Sequence, residues 1–400
     1  MSELWEAVKG AALELKEEVI GWRRHLHQNP ELPGEENETA AFVAETLRSL
    51  GVDEVYEGVG GTPSVVAYVF PPGGNKGKAV GLRADIDALP IEEKSAVPYR
   101  SRKKGVMHAC GHDAHTAMLL GAAKILVDFR DRLRRPVKLI FQSCEEFPPC
   151  SGAKALVEAG VCDDLEVVFA QHVYPELPTG TIGARKGPMM AAADFFKIRL
   201  IGKSAHASKP HMGVDPILMA AQVINSVHHI VSRKVDPFQP AVITIGKIRG
   251  GFAPNQIPDE VDMEGTVRTF DETLRKKIVE WLEKAVWGTS LAYGGAYEFE
   301  YQEGYPPVVN DDRATEFGQR VAEKLFGPQS FVCLPRPSTG GEDFAYYLKK
   351  VPGAYFRLGI RNEEKGIVHP LHSAYFDVDE DALPLGTAFM AGLALGWPAP

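Results

Sequence analysis

Apolar residues recur at helical spacing through "ELWEAVKGAALELKEEVIGWRRHLHQ" (3–28) and again over 36–50, so each stretch predicts an amphipathic helix. "NPELPG" stops the first, and Gly51 ends the second. Runs of strand length follow in "SVVAYVF" (64–70) and "AVGLRADI" (79–86), separated by the turn "PPGGNKG". A helical pattern over 113–128 leads to the buried-type strand "VKLIFQS" (137–143), and one over 151–159 leads to "EVVFAQHV" (166–173). Strands alternating with helices predict an α/β layer around a largely parallel sheet.

The pattern changes near residue 188. "ADFFKIRLIGKSAHAS" reads as one long strand, a helix covers 215–233, and "AVITIGKIRG" and "EVDMEGTVRTF" are strands flanking the loop "GFAPNQIPD". A helix over 272–292 and the strand "YEFEYQEGYPP" complete a β-α-β-β-α-β order, that of a ferredoxin-like sandwich. The α/β style then resumes with a helix at 311–326, the strand "GAYFRLGI" and a closing helix near 381–396. The economical reading is a small α+β domain at 188–303 inserted into a larger α/β domain built from 1–187 and 304–400. Four hundred residues suit two domains.

Composition narrows the partners. The chain is 44% hydrophobic and 24% charged, with a net charge of −9, which argues against nucleic acid or an anionic membrane as the main partner. No stretch reaches the ~18 uninterrupted apolar residues of a membrane span. The charged N-terminus lacks a signal-peptide apolar segment, so a cytoplasmic location is expected. Five cysteines at irregular spacing argue against a disulfide framework, and Cys144 and Cys150 read as packing residues.

The candidate chemistry lies at strand ends of the α/β part. In "MHACGHDAHTAML", Cys110 and His112 stand two apart just before a helix, where they read either as metal ligands or as the polar start of that helix capped by Asp113. "FQSCEE" places Glu145 and Glu146 after an apolar strand, where paired carboxylates can divide the work, one binding metal and one holding a proton. His172 ends another apolar strand, and His372 in "HPLHSAYFDVDE" lies in the loop before the last helix. Four groups of ligand type at such positions, with no tight Cys-x-x-Cys pair, suit a catalytic metal site with an open position better than a structural one.

"GLRADIDALPI", "MHACGHDAHTAMLLGAAKIL", "FQSCEE", "GKSAHAS", "GVDPI", "PNQIPDEVDMEGTVRTF", "GGEDFAYY" and "LHSAYFDVDE" occur in one order along residues 20–396. In that order they resemble the metal-dependent amidohydrolases of the aminoacylase/carboxypeptidase metallopeptidase superfamily, within it the branch of hippurate, N-acyl-amino-acid and auxin-conjugate hydrolases. The resemblance implies a metallopeptidase-type catalytic domain with an inserted lid and dimerisation domain. It implies two divalent metal ions per subunit, zinc first, with manganese, cobalt or nickel as alternatives. Cys110 would bridge them, His112 and His172 would complete one site, and Glu146 and His372 the other. Glu145 matches the general base, and His206 the donor to the oxyanion, delivered across a homodimer.

Asn255, Arg268 and Gly341 are candidates for substrate contact, Arg268 for the free carboxylate on the amino-acid side. Other branches carry a ligand histidine where this chain has Arg83, leaving Asp85 as a partner that orients a ligating imidazole, with Asp113 in a similar supporting place. Where the branch has a glycine-rich run after the glutamate pair, this chain has "FPPCSGA". The implied activity is hydrolysis of the amide bond of N-acyl-amino acids or of C-terminal peptide bonds. A true carboxypeptidase or dipeptidase on short peptides shares every catalytic residue. A catalytically inactive binding protein would have lost the base or ligands, and all are present.

Overall fold

The computed structural model describes residues 2–74 and 77–398, so Asn75 and Lys76 of the expected "PPGGNKG" turn lie outside the described residues. The first part of the chain forms α1 (Ser2–Glu14), α2 (Lys16–Gln28), α3 (Asn37–Ser49), β1 (Glu54–Glu57), β2 (Val65–Val69) and β3 (Ala79–Asp85). It continues with α4 (His112–Asp128), β4 (Val137–Gln142), α5 (Gly152–Glu158), β5 (Leu165–Pro178) and β6 (Ile182–Ala184). The middle part forms β7 (Ala192–Ile201), α6 (Pro216–Arg233), β8 (Ala241–Gly250), β9 (Glu260–Thr269), α7 (Glu272–Tyr293) and β10 (Ala296–Tyr305). α8 (Asp312–Phe326), β11 (Phe331–Cys333), β12 (Gly353–Arg361) and α9 (Leu383–Gly396) close the chain.

Eight strands form one sheet in the order β1-β2-β4-β3-β5-β12-β6-β11. Its centre, β4-β3-β5-β12, is parallel, as is the β6–β11 pair. The pairs β1–β2, β2–β4 and β12–β6 are antiparallel. Every residue of β3 and β4 is buried, which is why these strands read as continuous apolar runs rather than alternating ones. Parallel strands put their carboxyl ends on one edge, and that edge carries Asp85 and the chain leaving Gln142.

Three expectations change here. The single helix over 3–28 is two, meeting at Leu15, because α1 packs on α9 while α2 packs on α4. β5 runs on to Pro178, so His172 lies inside a strand, paired in register with Arg357 of β12, rather than at a strand end. Cys144 and Cys150 are joined in a disulfide that brackets Glu145 and Glu146, whereas Cys110, Cys162 and Cys333 are free. Irregular spacing argues against a framework, but it does not report two thiols, six positions apart, that the loop between them brings within reach. No helix among the described residues is long and apolar enough to cross a membrane.

The chain divides into two compact units, one of Met1–Met189, Val309–Arg336 and Asp343–Pro400, the other of Met190–Val308 with Pro337–Glu342. The second is a four-stranded antiparallel sheet in the order β8-β9-β7-β10, the ferredoxin-like arrangement. Alternate residues Phe196, Ile198 and Leu200 of β7 join the core formed with α6 and α7. Asp215 and Asp271 cap these two helices by accepting from Ile217 and Leu218, and from Leu274. The expected long strand through 208 breaks after Ile201, where Lys203 pairs with Val214. Ala205–His206 then forms a separate short strand against Gln256–Ile257. The segment Pro337–Glu342, placed in the outer domain by chain order, clusters with the inserted unit instead.

Candidate metal centre

α4 begins at the carboxyl edge of the sheet. Gly111 precedes it with φ +85°, and a Cβ there would lie 2.4 Å from Val173 Cγ2, so the turn that aims Cys110 and His112 requires glycine. Asp113, the next residue, is fully buried and accepts from Arg23 Nε and His27 Nδ1, both at 2.8 Å. Burial alone would raise its carboxyl, but Arg23 and His27 hold it well below the usual carboxylate range. Asp113 therefore fastens α2 to α4, and its support for the centre is through the helix rather than through a ligand.

Ligand atoms of Cys110, His112 and His172 lie within 4.8 Å of one another, and so do those of Cys110, Glu146 and His372. Cys110 belongs to both triplets. The hydrogen bonds on the far side of each ring decide which imidazole nitrogens are available. His112 Nδ1 lies 2.9 Å from Asp87 Oδ1, leaving Nε2 buried without a partner. His172 Nδ1 donates to its neighbour's carbonyl, Val173 O, at 2.6 Å, so its Nε2 lone pair faces Cys110 Sγ at 3.4 Å. His115 is close but spent: Nδ1 bonds Asp85 at 2.5 Å, and Nε2 accepts from Val173 N–H at 2.9 Å.

Asp85 thus differs from its expected role. It pairs with Arg83 and His115, while Asp87, two residues on, holds the ring of His112. Asp87 was not singled out from the sequence. The available signal was its spacing, because residues two apart on extended chain share a face, and Ile86 N–H continues the β3–β4 ladder to Gln142 O at 2.9 Å. Arg83 is itself buried and spans Asp85, Gln142 and Asp343, a structural use of the position.

Cys144 and His372 are the two non-glycine residues with positive φ among the described residues, at 55° and 64°. One precedes Glu145 and the other is in the second triplet, and such strained backbone concentrates at functional sites. His372 is anchored by its N–H on Ala109 O at 2.8 Å, and its Nε2 stands 3.2 Å from Glu146 Oε1. Glu145 is buried, and an oxygen of it falls within 4.8 Å of ligand atoms of His112 and Glu146.

The electrostatics fit a cation. Burial, then Glu146 and Glu145, push the Cys110 thiol well above its usual range. Burial would lower His112, but Asp85, Asp87 and Glu146 outweigh it and push it up to about 10. His372 is raised by its bond to Glu146. A thiol and an imidazole pushed up beside carboxylates, with Glu146 held down against its burial by His372 and His112, form a donor set that suits a divalent ion. His112 Nε2, buried without a hydrogen-bond partner, is the position of that ring open to such an ion.

In the inserted unit, His206 pairs in register with Gln256, and Ala207 N–H donates to Asn255 O at 3.0 Å, bringing the His206 and Asn255 segments together. His206 Nδ1 accepts from Ser208 N–H at 3.1 Å, which leaves the ring proton on the exposed Nε2. Arg268 is half-buried over Phe195, bonded to the carbonyl of Val267 at 3.1 Å and to Thr266 Oγ1. No carboxylate forms an ion pair with it among the described residues. Gly341 approaches Ala193 so closely that a Cβ would lie 2.8 Å from its methyl.

The chain is similar to known proteins. Thermostable carboxypeptidase 2 of Saccharolobus solfataricus is 44% identical over 395 residues, 98% of this chain and 98% of that one. The N-acyl-L-amino acid amidohydrolase of Geobacillus stearothermophilus is 48% identical over 307 residues, 77% of this chain and 82% of its own. The crystal structure of Bacillus subtilis YXEP, a dinuclear metal-binding peptidase of the M20 family, superposes with a TM-score of 0.83 at 34% identity, covering 96% and 98% of the two chains. Residues 81–396 match one family along their length, and the chain belongs to peptidase family M20/M25/M40.

Proposed function

We propose that the chain is a two-metal hydrolase that cleaves the amide bond of N-acyl-amino acids or the C-terminal peptide bond of short peptides. The observation that carries this reading is the pair of ligand triplets sharing Cys110, with lone pairs on His112 and His172 directed inward and Glu145 beside them. His112 and His172 would hold one ion, Glu146 and His372 the other, and Cys110 both. Zinc suits this donor set first, with manganese, cobalt and nickel as alternatives. Bound there, two divalent ions would supply Lewis acidity and lower the pKa of a water to about 7.

The protein groups do the rest. Glu145 takes the water's proton and passes it to the leaving amine. His206, with its proton on Nε2, donates to the developing oxyanion. Arg268 receives the substrate carboxylate in a two-bond fork, Asn255 orients the acyl or carboxylate oxygen, and Gly341 leaves room for the backbone to approach. The active form is a homodimer in the cytoplasm, with His206 serving the partner's centre. A non-catalytic binding protein is not favoured, since Glu145 and all the candidate ligands are present in the sequence.

Aminoacylase and carboxypeptidase readings are separated by what the acyl side accepts. N-acetyl- and N-benzoyl-amino acids, dipeptides and blocked dipeptides assayed side by side are expected to give turnover with at least one set bearing a free α-carboxylate. Hydrolysis that ignores amidation of that carboxylate would remove Arg268 from the account. For His206, inactive Glu145→Gln and inactive His206→Ala subunits are expected to regain activity when mixed, because one composite centre then holds both groups. No recovery despite demonstrated subunit exchange would confine His206 to its own chain.

A further inference from the structure

Asp87 stands apart from the other acidic groups around the centre because both of its oxygens are committed, each to a different half. Oδ1 lies 2.9 Å from His112 Nδ1, and Oδ2 accepts the backbone N–H of Glu146 at 2.8 Å. His112 opens α4 and belongs to the triplet with His172, while Glu146 follows β4 and belongs to the triplet with His372. The side chain is 1% exposed, and no lysine or arginine forms an ion pair with it among the described residues. Asp85 is unavailable for this task, being held by Arg83 and His115.

We propose that Asp87 is the positioning residue for both halves of the centre, fixing the ring of His112 with one oxygen and the backbone of Glu146 with the other. The inference rests on the two-metal reading above. A carboxylate is required because both partners are donors. An asparagine there can accept with Oδ1 from one of them only, and its amide hydrogens then meet the other N–H. A glutamate reaches one methylene too far and moves both partners together. Groups that orient metal-binding side chains typically contribute about 10–100-fold in metal affinity.

The test is metal retention by the full chain loaded with Zn²⁺ and titrated with a chromogenic chelator. Asp87→Asn is expected to lower the affinity of both zinc ions by about 10–100-fold, and Asp87→Glu, which keeps the charge, to do the same if the asparagine variant does not fold. Asp113→Asn is the structural control. It removes the buried charge that Arg23 and His27 pair with, lowers thermal stability and leaves both retention steps in place. A shift in one zinc step alone, or in neither, overturns the proposal, because Asp87 would then serve at most one half. Cys110→Ser in the same assay tests the underlying reading separately. If that variant retains two zinc ions as tightly as the wild type, the shared-ligand reading fails, and the role of Asp87 fails with it.

Discussion

Glu145→Gln is expected to cut kcat by about 10²–10⁴-fold while leaving metal content intact, the loss typical of removing a general base. At 1.36 kcal/mol per tenfold, that is about 3–5 kcal/mol of transition-state stabilisation. The substitution is nearly isosteric at a buried position, so no cavity forms. It also removes one of two adjacent carboxylates that both push the Cys110 thiol upward. The variant is therefore expected to retain its metal and its fold, which separates a chemical defect from a structural one. Metal analysis, thermal unfolding and steady-state kinetics on one preparation check this. Turnover within a few-fold of wild type removes Glu145 as the base.

Exhaustive chelation is expected to abolish activity, and added divalent metal to restore it. The same treatment should lower the unfolding temperature, since an ion that binds only the folded state contributes about 2.7 kcal/mol at a hundredfold excess over its Kd. Metal affinity should fall as pH is lowered, once the chelator's own protonation is allowed for. In the metal-free centre the Cys110 thiol is raised well above its usual range and His112 to about 10, so both hold protons at neutrality and must lose them to bind metal. Falling pH therefore weakens the metal's competition with protons. Activity that survives complete removal of metal, verified by elemental analysis, rules out the two-metal reading.

Much of the architecture was legible because the signals were local. The buried strands β3 and β4 announce themselves as unbroken apolar runs, and helix starts at Asp215 and Asp271 carry their own caps. What was not legible depended on neighbours far apart in sequence. The split of the first helix at Leu15 follows from its halves packing on α9 and α4. The length of β5 follows from β12, which pairs with it as far as Pro178.

The site divides along the same line. Ligand-type residues could be named from sequence because thiol, imidazole and carboxylate are recognisable wherever they stand, and their order along the chain matched a known family. Which nitrogen of each histidine is free could not be named. That depends on hydrogen bonds made across elements: Asp87 to His112, Val173 O to His172, and Asp85 with Val173 N–H consuming both nitrogens of His115. Sequence alone offered the candidate donors and the candidate base, through residue types and their match to a known family, and the two-part α/β design, through periodicity. Only the tertiary structure decided that Cys110 belongs to two triplets, that Asp113 serves the helix packing, and that Asp87 rather than Asp85 steadies the ring. A hydrogen bond is set by distance and direction, and those exist only once β3, β4, β5 and α4 are folded together.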